Sequence, residues 1–106
     1  MIPHLLSVDD LKEDFLINLW DEALENKGKN NKNLENKIIT NLFYEPSTRT
    51  SSSFYSAMTR SGGTVIPINN VKFSSVTKGE SLEDTIRTMA CMCDAIVLRH
   101  YQIGAA

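Results

Sequence analysis

From Ser7 onward, apolar residues fall at Val8, Leu11, Phe15, Leu19 and Ala23, three or four apart, with acidic residues between them. That spacing predicts an amphipathic helix to about Asn26, with Leu16 and Trp20 widening its apolar stripe. Asp9 and Asp10 sit favourably near its start, and Gly28 ends it. The pattern then disappears. Residues 26–37 (NKGKNNKNLENK) carry five asparagines and four lysines around one leucine, which reads as a mobile surface loop with solvating lysines.

Lys37 begins a different regime. Ile38 to Phe43 is a mostly apolar run of strand length, and Pro46 stops it. Phe54, Ala57 and Met58 recur at helical spacing, so a helix runs to about Arg60 and ends at Ser61-Gly62-Gly63. Thr64–Ile68 is a second strand. Pro67 has no N–H for a ladder, which assigns this strand to an edge or gives it an irregular end. Asn69 to Gly79 is a polar loop long enough to reach a neighbour. Ser81-Leu82-Glu83-Asp84 approximates a capping box, and Leu82, Ile86, Met89, Ala90 and Cys93 share one helical face. Asp94–Leu98 is a third strand, apolar on both faces as a helix-covered parallel strand would be.

Strands alternating with helices predict an α/β fold, a mostly parallel sheet flanked by helices with right-handed crossovers. Ligands of such sheets bind beyond the carboxyl ends of the strands. Residues 44–50 follow the first strand and Arg99-His100 follow the third, so both belong to that edge.

Composition narrows the function. The chain has 106 residues, 42% of them hydrophobic, enough for one small domain with little margin. A net charge of −2 argues against non-specific nucleic-acid binding, so any anion affinity must be local. No apolar run approaches the ~18 residues of a membrane span, and the N-terminus lacks a signal-peptide pattern. The expectation is a cytoplasmic protein. Cys91 and Cys93 would point about 200° apart on a helix, and His4 and His100 are distant in sequence, so no metal site is expected. No Gly-x4-Gly-Lys-Ser/Thr occurs, which excludes a P-loop.

What remains is Ser47, Thr48, Arg49, Thr50, Ser51, Ser52 and Ser53, between a strand and a helix. A helix start offers unpaired backbone N–H groups and partial positive charge. Hydroxyls add neutral donors, and the planar fork of Arg49 can grip two phosphate oxygens at once. The same residues could instead be ordinary caps and turn formers, or a kinase target.

FYEPSTRTSSSF resembles the carbamoyl-phosphate signature of the aspartate and ornithine carbamoyltransferases, whose shared core is S-T-R-T. Glu45-Pro46 resembles the aspartate branch, which serves pyrimidine biosynthesis; the ornithine branch usually has lysine at the position of Glu45. SSVTKGESLEDTIR (Ser74 to Arg87) and DAIVLRH (Asp94 to His100) agree. The resemblance implies that Ser47, Thr48, Arg49, Thr50 and Arg99 bind carbamoyl phosphate. It also implies that Arg49, Thr50 and Arg99 are catalytic, with Thr50 and Arg99 reaching the carbonyl oxygen, and that no metal or cofactor is used. Ser74 and Lys78 would enter the active site of the adjacent subunit in a homo-trimer.

The family usually continues R-H-P-Q-E-G-A-A, whereas here Tyr101 replaces proline and Ile103 replaces glutamate. The family enzyme is also much longer. Residues 1–106 therefore correspond to an incomplete carbamoyl-phosphate-binding domain with the aspartate-binding domain absent. L-aspartate would be engaged only with that missing domain, and the chain alone would bind phosphate without turnover. Two rival readings are a non-catalytic anion-binding or interaction module, and an ornithine carbamoyltransferase fragment, which Glu45 and Lys78 disfavour.

Overall fold

The computed structural model describes residues 4–69 and 81–106. Ser74, Lys78 and most of the polar 69–79 loop lie outside the described residues. The chain divides into two compact units, Met1–Asn30 and Asn31–Ala106. Among the described residues no helix is long and apolar enough to cross a membrane.

In the first unit the expected single helix is broken in two. Ser7 caps a short 3-10 turn, Val8–Asp10, through a reciprocal capping box with Asp10. The Asp10 carboxylate accepts from the amides of Leu6 and Ser7 at 2.8 and 3.0 Å. Leu11 and Lys12 are extended, and helix α1 then runs Glu13–Asn26. The Asp10 carboxylate thus fixes where this first turn starts, and the extended backbone of Leu11 and Lys12 separates it from α1. Helix α1 has no buried residue, and Trp20 is 67% exposed.

The second unit is a three-stranded parallel sheet in the order β2-β1-β3, with β1 Ile38–Phe43, β2 Thr64–Ile68 and β3 Ala95–Arg99. Its helices are α2 (Thr48–Arg60) and α3 (Leu82–Ala90). This is the α/β alternation that the hydrophobic pattern implies. The central strand is the core: Thr40, Asn41, Leu42 and Phe43 are all buried. Full burial of a Leu or Phe side chain contributes about 1.5–3 kcal/mol, so Leu42 and Phe43 anchor the sheet. Pro67 lies on edge strand β2, and the pairing with β1 passes through it to Ile68, so its missing N–H falls outward.

Helix packing departs from the simple stripes. On α2 only Met58 is buried, while Phe54 is 43% exposed and Ala57 is exposed. On α3 the buried residues are Met89 and Thr85; Leu82 and Ile86 are half-buried, Ala90 is exposed, and Cys93 lies beyond the helix end. Thr85 is a polar residue inside, and its hydroxyl is satisfied by donating to the Ser81 carbonyl at 3.1 Å. β3 is only half-buried, not enclosed on both faces, and it includes Arg99 as its last residue.

The Asn/Lys segment is also more structured than its composition implies. The amides of Asn31 and Leu34 donate to the carbonyls of Arg60 and Ser61, each at 2.9 Å, so the segment closes the C-terminus of α2. Gly62 makes that closure possible with φ +84°, and a Cβ there would lie 3.2 Å from the Lys32 backbone. Gly62→Ala should therefore destabilise the protein by about 1–2 kcal/mol, through positive-φ strain and this contact. A fall in the chemical denaturation midpoint at unchanged slope is the expected result; an unchanged midpoint would contradict it.

Candidate functional site

Strand β1 ends at Phe43, and the chain turns through Tyr44, Glu45 and Pro46 before Ser47 admits it to α2. Ser47 has non-helical backbone angles, φ −155° and ψ 74°, and its carbonyl accepts the first helical bond from the Ser51 amide at 2.9 Å. Its hydroxyl does not cap the helix. Instead Ser47 Oγ accepts from Arg99 Nη1 at 3.1 Å. Among the described residues, no hydrogen bond takes up the amides of Thr48, Arg49 and Thr50. The first turn of α2 also contains no acidic residue.

Helix α3 gives the internal contrast. There Ser81 Oγ accepts from the Asp84 amide at 3.1 Å, and Glu83 and Asp84 supply negative charge to the first turn. One helix start caps one of its amides with its own side chain and adds negative charge beside the rest. The other presents three open donors beside two arginines.

Arg99 reaches this turn because of strand register. Phe43 pairs with Arg99, and the Tyr44 amide donates to the Arg99 carbonyl at 2.8 Å. The guanidinium then lies between Ser47 and Glu45, with Arg99 Nε 3.7 Å from Glu45 Oε1. Both partners of this pair are partly exposed, so the attraction is screened and modest. Arg49 is exposed at the second helical position.

Beyond Arg99 the chain forms an aromatic wall. The His100 ring packs 4.6 Å from Tyr44 and stacks 4.4 Å from Tyr101. His100 Nδ1 accepts from the Gln102 amide at 3.0 Å, which leaves Nε2 as the nitrogen that carries hydrogen in the neutral ring. Glu45, Leu98, Arg99, His100, Gln102 and Gly104 line an open cleft of about 370 Å³ at this edge.

The structure brings Ser47, Thr48, Arg49, Thr50 and Arg99 to one place, as the strand order requires. Glu45, a branch marker in the sequence, is also the counter-ion of Arg99. A carboxylate two residues before a suspected anion site, on the sheet edge shared with an arginine, was the available signal. The two thiols are used separately: Cys91 donates to the Arg87 carbonyl and Cys93 to the Met89 carbonyl.

An α/β sheet edge with open helix-start amides and a converging arginine is an arrangement suited to taking up an anion. The chain belongs to the aspartate/ornithine carbamoyltransferase family, matching the model of its carbamoyl-P binding domain over residues 3–106. It is 49% identical to the aspartate carbamoyltransferase catalytic subunit of Methanocaldococcus jannaschii over 97% of this chain and 35% of that protein. The crystal structure of the M. jannaschii catalytic subunit superposes with a TM-score of 0.88 at 48% identity, covering 99% of this chain and 36% of that one. The Trypanosoma cruzi aspartate transcarbamoylase in complex with N-(phosphonacetyl)-L-aspartic acid superposes with a TM-score of 0.84 at 38% identity, over 95% and 34% of the two chains. The chain thus spans about a third of the length of these relatives.

The Glu45 carboxylate lies where it would compete with any anion for the Arg99 guanidinium. Glu45→Gln should strengthen inorganic phosphate binding by roughly two- to fivefold, the scale of a partly exposed ion pair. Calorimetric titration at low salt reads this directly, and weaker binding by the variant would contradict the competition.

Proposed function

We propose that this chain supplies the carbamoyl-phosphate-binding part of an aspartate carbamoyltransferase, which transfers a carbamoyl group to the amine of L-aspartate in pyrimidine biosynthesis. The observation that carries this reading is the contact of Arg99 with Ser47 beside the open amides of Thr48, Arg49 and Thr50. Family membership supports the same assignment. The Trypanosoma cruzi aspartate transcarbamoylase has also been solved in complex with carbamoyl phosphate and aspartate.

Carbamoyl phosphate is an activated carbonyl with phosphate as its leaving group. The amine nitrogen bonds to the carbonyl carbon, the carbon–oxygen bond to phosphate breaks, and inorganic phosphate leaves with the electron pair as the amine loses a proton. Ser47, Thr48 and the α2 amides hold the phosphate, and Arg49 neutralises it with two parallel hydrogen bonds. Thr50 and Arg99 reach the carbonyl oxygen and stabilise the charge that develops there. In this reading Arg49, Thr50 and Arg99 are the catalytic residues of the chain.

The remaining parts of the proposal concern assembly. Residues 1–106 act as an incomplete carbamoyl-phosphate-binding domain, and L-aspartate is engaged by a separate aspartate-binding domain. Ser74 and Lys78 serve the adjacent subunit of a homo-trimer, and the protein works in the cytoplasm. No metal or cofactor enters this chemistry.

Two measurements test the proposal. Arg49→Ala should weaken phosphate binding by on the order of ten- to a hundredfold, because a charged hydrogen bond contributes about 1.5–3 kcal/mol. Arg49→Lys should restore only part of that loss, and Ser51→Ala should change little. Equal affinities for wild type and Arg49→Ala, both confirmed folded, would remove the central residue of the reading. In a turnover assay the 106-residue chain alone should form no carbamoyl-aspartate above the uncatalysed rate, because nothing positions the amine. Substantial product would mean that these residues also hold aspartate.

A further inference from the structure

Asn41 is a polar residue at the centre of the sheet, 1% exposed, paired in register with Pro67 on one side and Val97 on the other. Its Nδ2 donates to the Ser51 carbonyl of α2 at 3.0 Å. The assignment of nitrogen to that position follows from chemistry, since a carbonyl only accepts. Among the described residues, Asn41 Oδ1 has no hydrogen-bond partner. A buried, unsatisfied amide oxygen is costly, and an apolar side chain of the same shape would avoid that cost. The position therefore sacrifices stability for one directed bond.

That bond falls at a specific peptide. The Ser51 amide closes the first turn of α2 on the Ser47 carbonyl at 2.9 Å, and Asn41 holds the Ser51 carbonyl. Ser51 is thus fastened at both ends, immediately after the three residues whose amides are open. We propose that Asn41 is a positioning residue for the anion site, fixing the first turn of α2 so that the amides of Thr48, Arg49 and Thr50 stay aimed past the end of β1. The inference rests on the phosphate-binding reading of that turn. Thr40 provides a matched control: among the described residues its Oγ1 is equally buried and unpartnered on the adjacent position of the same strand, without a bond to α2.

The experiment compares wild type, Asn41→Leu and Thr40→Val in the 106-residue chain by titration with inorganic phosphate, thermal midpoint and amide hydrogen exchange. Loss of one positioning bond should weaken phosphate binding in Asn41→Leu by roughly five- to twentyfold. Its thermal midpoint should stay level or rise, an opposite movement that a purely structural residue would not give. Thr40→Val should leave the affinity unchanged. Unchanged affinity in Asn41→Leu, or a fall in affinity and midpoint together, overturns the proposal.

Exchange rates keep the two readings apart. Amides of the first α2 turns should exchange at least several-fold faster in Asn41→Leu than in Thr40→Val without any ligand, and equal rates overturn the proposal. Were wild type to bind no phosphate, the functional reading would fall, while these rates would still decide whether Asn41 holds the turn. If Asn41→Leu does not fold, the wild type decides: bound phosphate should slow the Asn41 Nδ2 protons together with the amides of Thr48–Ser51. Slowing of the amides alone overturns the proposal.

Discussion

The pairing of β1 with β3 is the constraint on which the site depends. Phe43 opposite Arg99, reinforced by the Tyr44 amide on the Arg99 carbonyl, brings residues more than fifty positions apart in sequence to one sheet edge. Side chains alternate faces along a strand, so a slip of one residue would send the guanidinium to the opposite face. The Arg99–Ser47 contact would then be lost, leaving the helix start with neutral donors and Arg49. The backbone ladder from Ile39–Ala95 to Phe43–Arg99, continued by the Tyr44 amide, holds that alignment.

The two helix starts show how little chemistry separates a structural terminus from a binding one. In α3, Ser81 caps the Asp84 amide and an acidic first turn complements the helix dipole from within. In α2, Ser47 is drawn away from capping by Arg99, and no carboxylate occupies the first turn. The positive end of the dipole is left without a partner on its own helix. Glu45 supplies negative charge from outside the helix and directs it to Arg99, so the helix start itself stays open.

Much of this arrangement was legible in the residues. The run Ile38–Phe43 announced the buried strand, Pro67 the edge position, and the hydroxyl cluster after Pro46 the helix start. Shared placement at the carboxyl ends of parallel strands was enough to bring Arg99 to the motif. What could not be read depended on contacts between distant segments or on competition for local bonds. The Asp10 carboxylate captures the amides of Leu6 and Ser7, and periodicity in Val8, Leu11 and Phe15 is blind to that. Thr85 looks polar in the pattern yet is buried, and its hydroxyl is satisfied by the carbonyl of Ser81, the residue that caps its helix. Phe54 and Ala57 follow the stripe yet remain exposed, so helical spacing alone overstates what α2 buries. Asn41 sits inside a mostly apolar run, where nothing local marks its bond to α2.

Pro67 gives the sheet a direction of growth. An outer strand normally offers a row of donors and acceptors to any extended chain that approaches, which is how sheets enlarge and how they aggregate. At β2 the proline ring removes one outward donor, so a new strand laid there would miss a bond in the middle of its ladder. Strand β3 consists of Ala-Ile-Val-Leu-Arg and has no such interruption. Recruitment of a further strand, from the same polypeptide or another, is therefore favoured beside β3, the side that carries Arg99. Enlargement on that side would leave the β1–β2 half of the sheet, with its proline-blunted margin, as the permanent boundary.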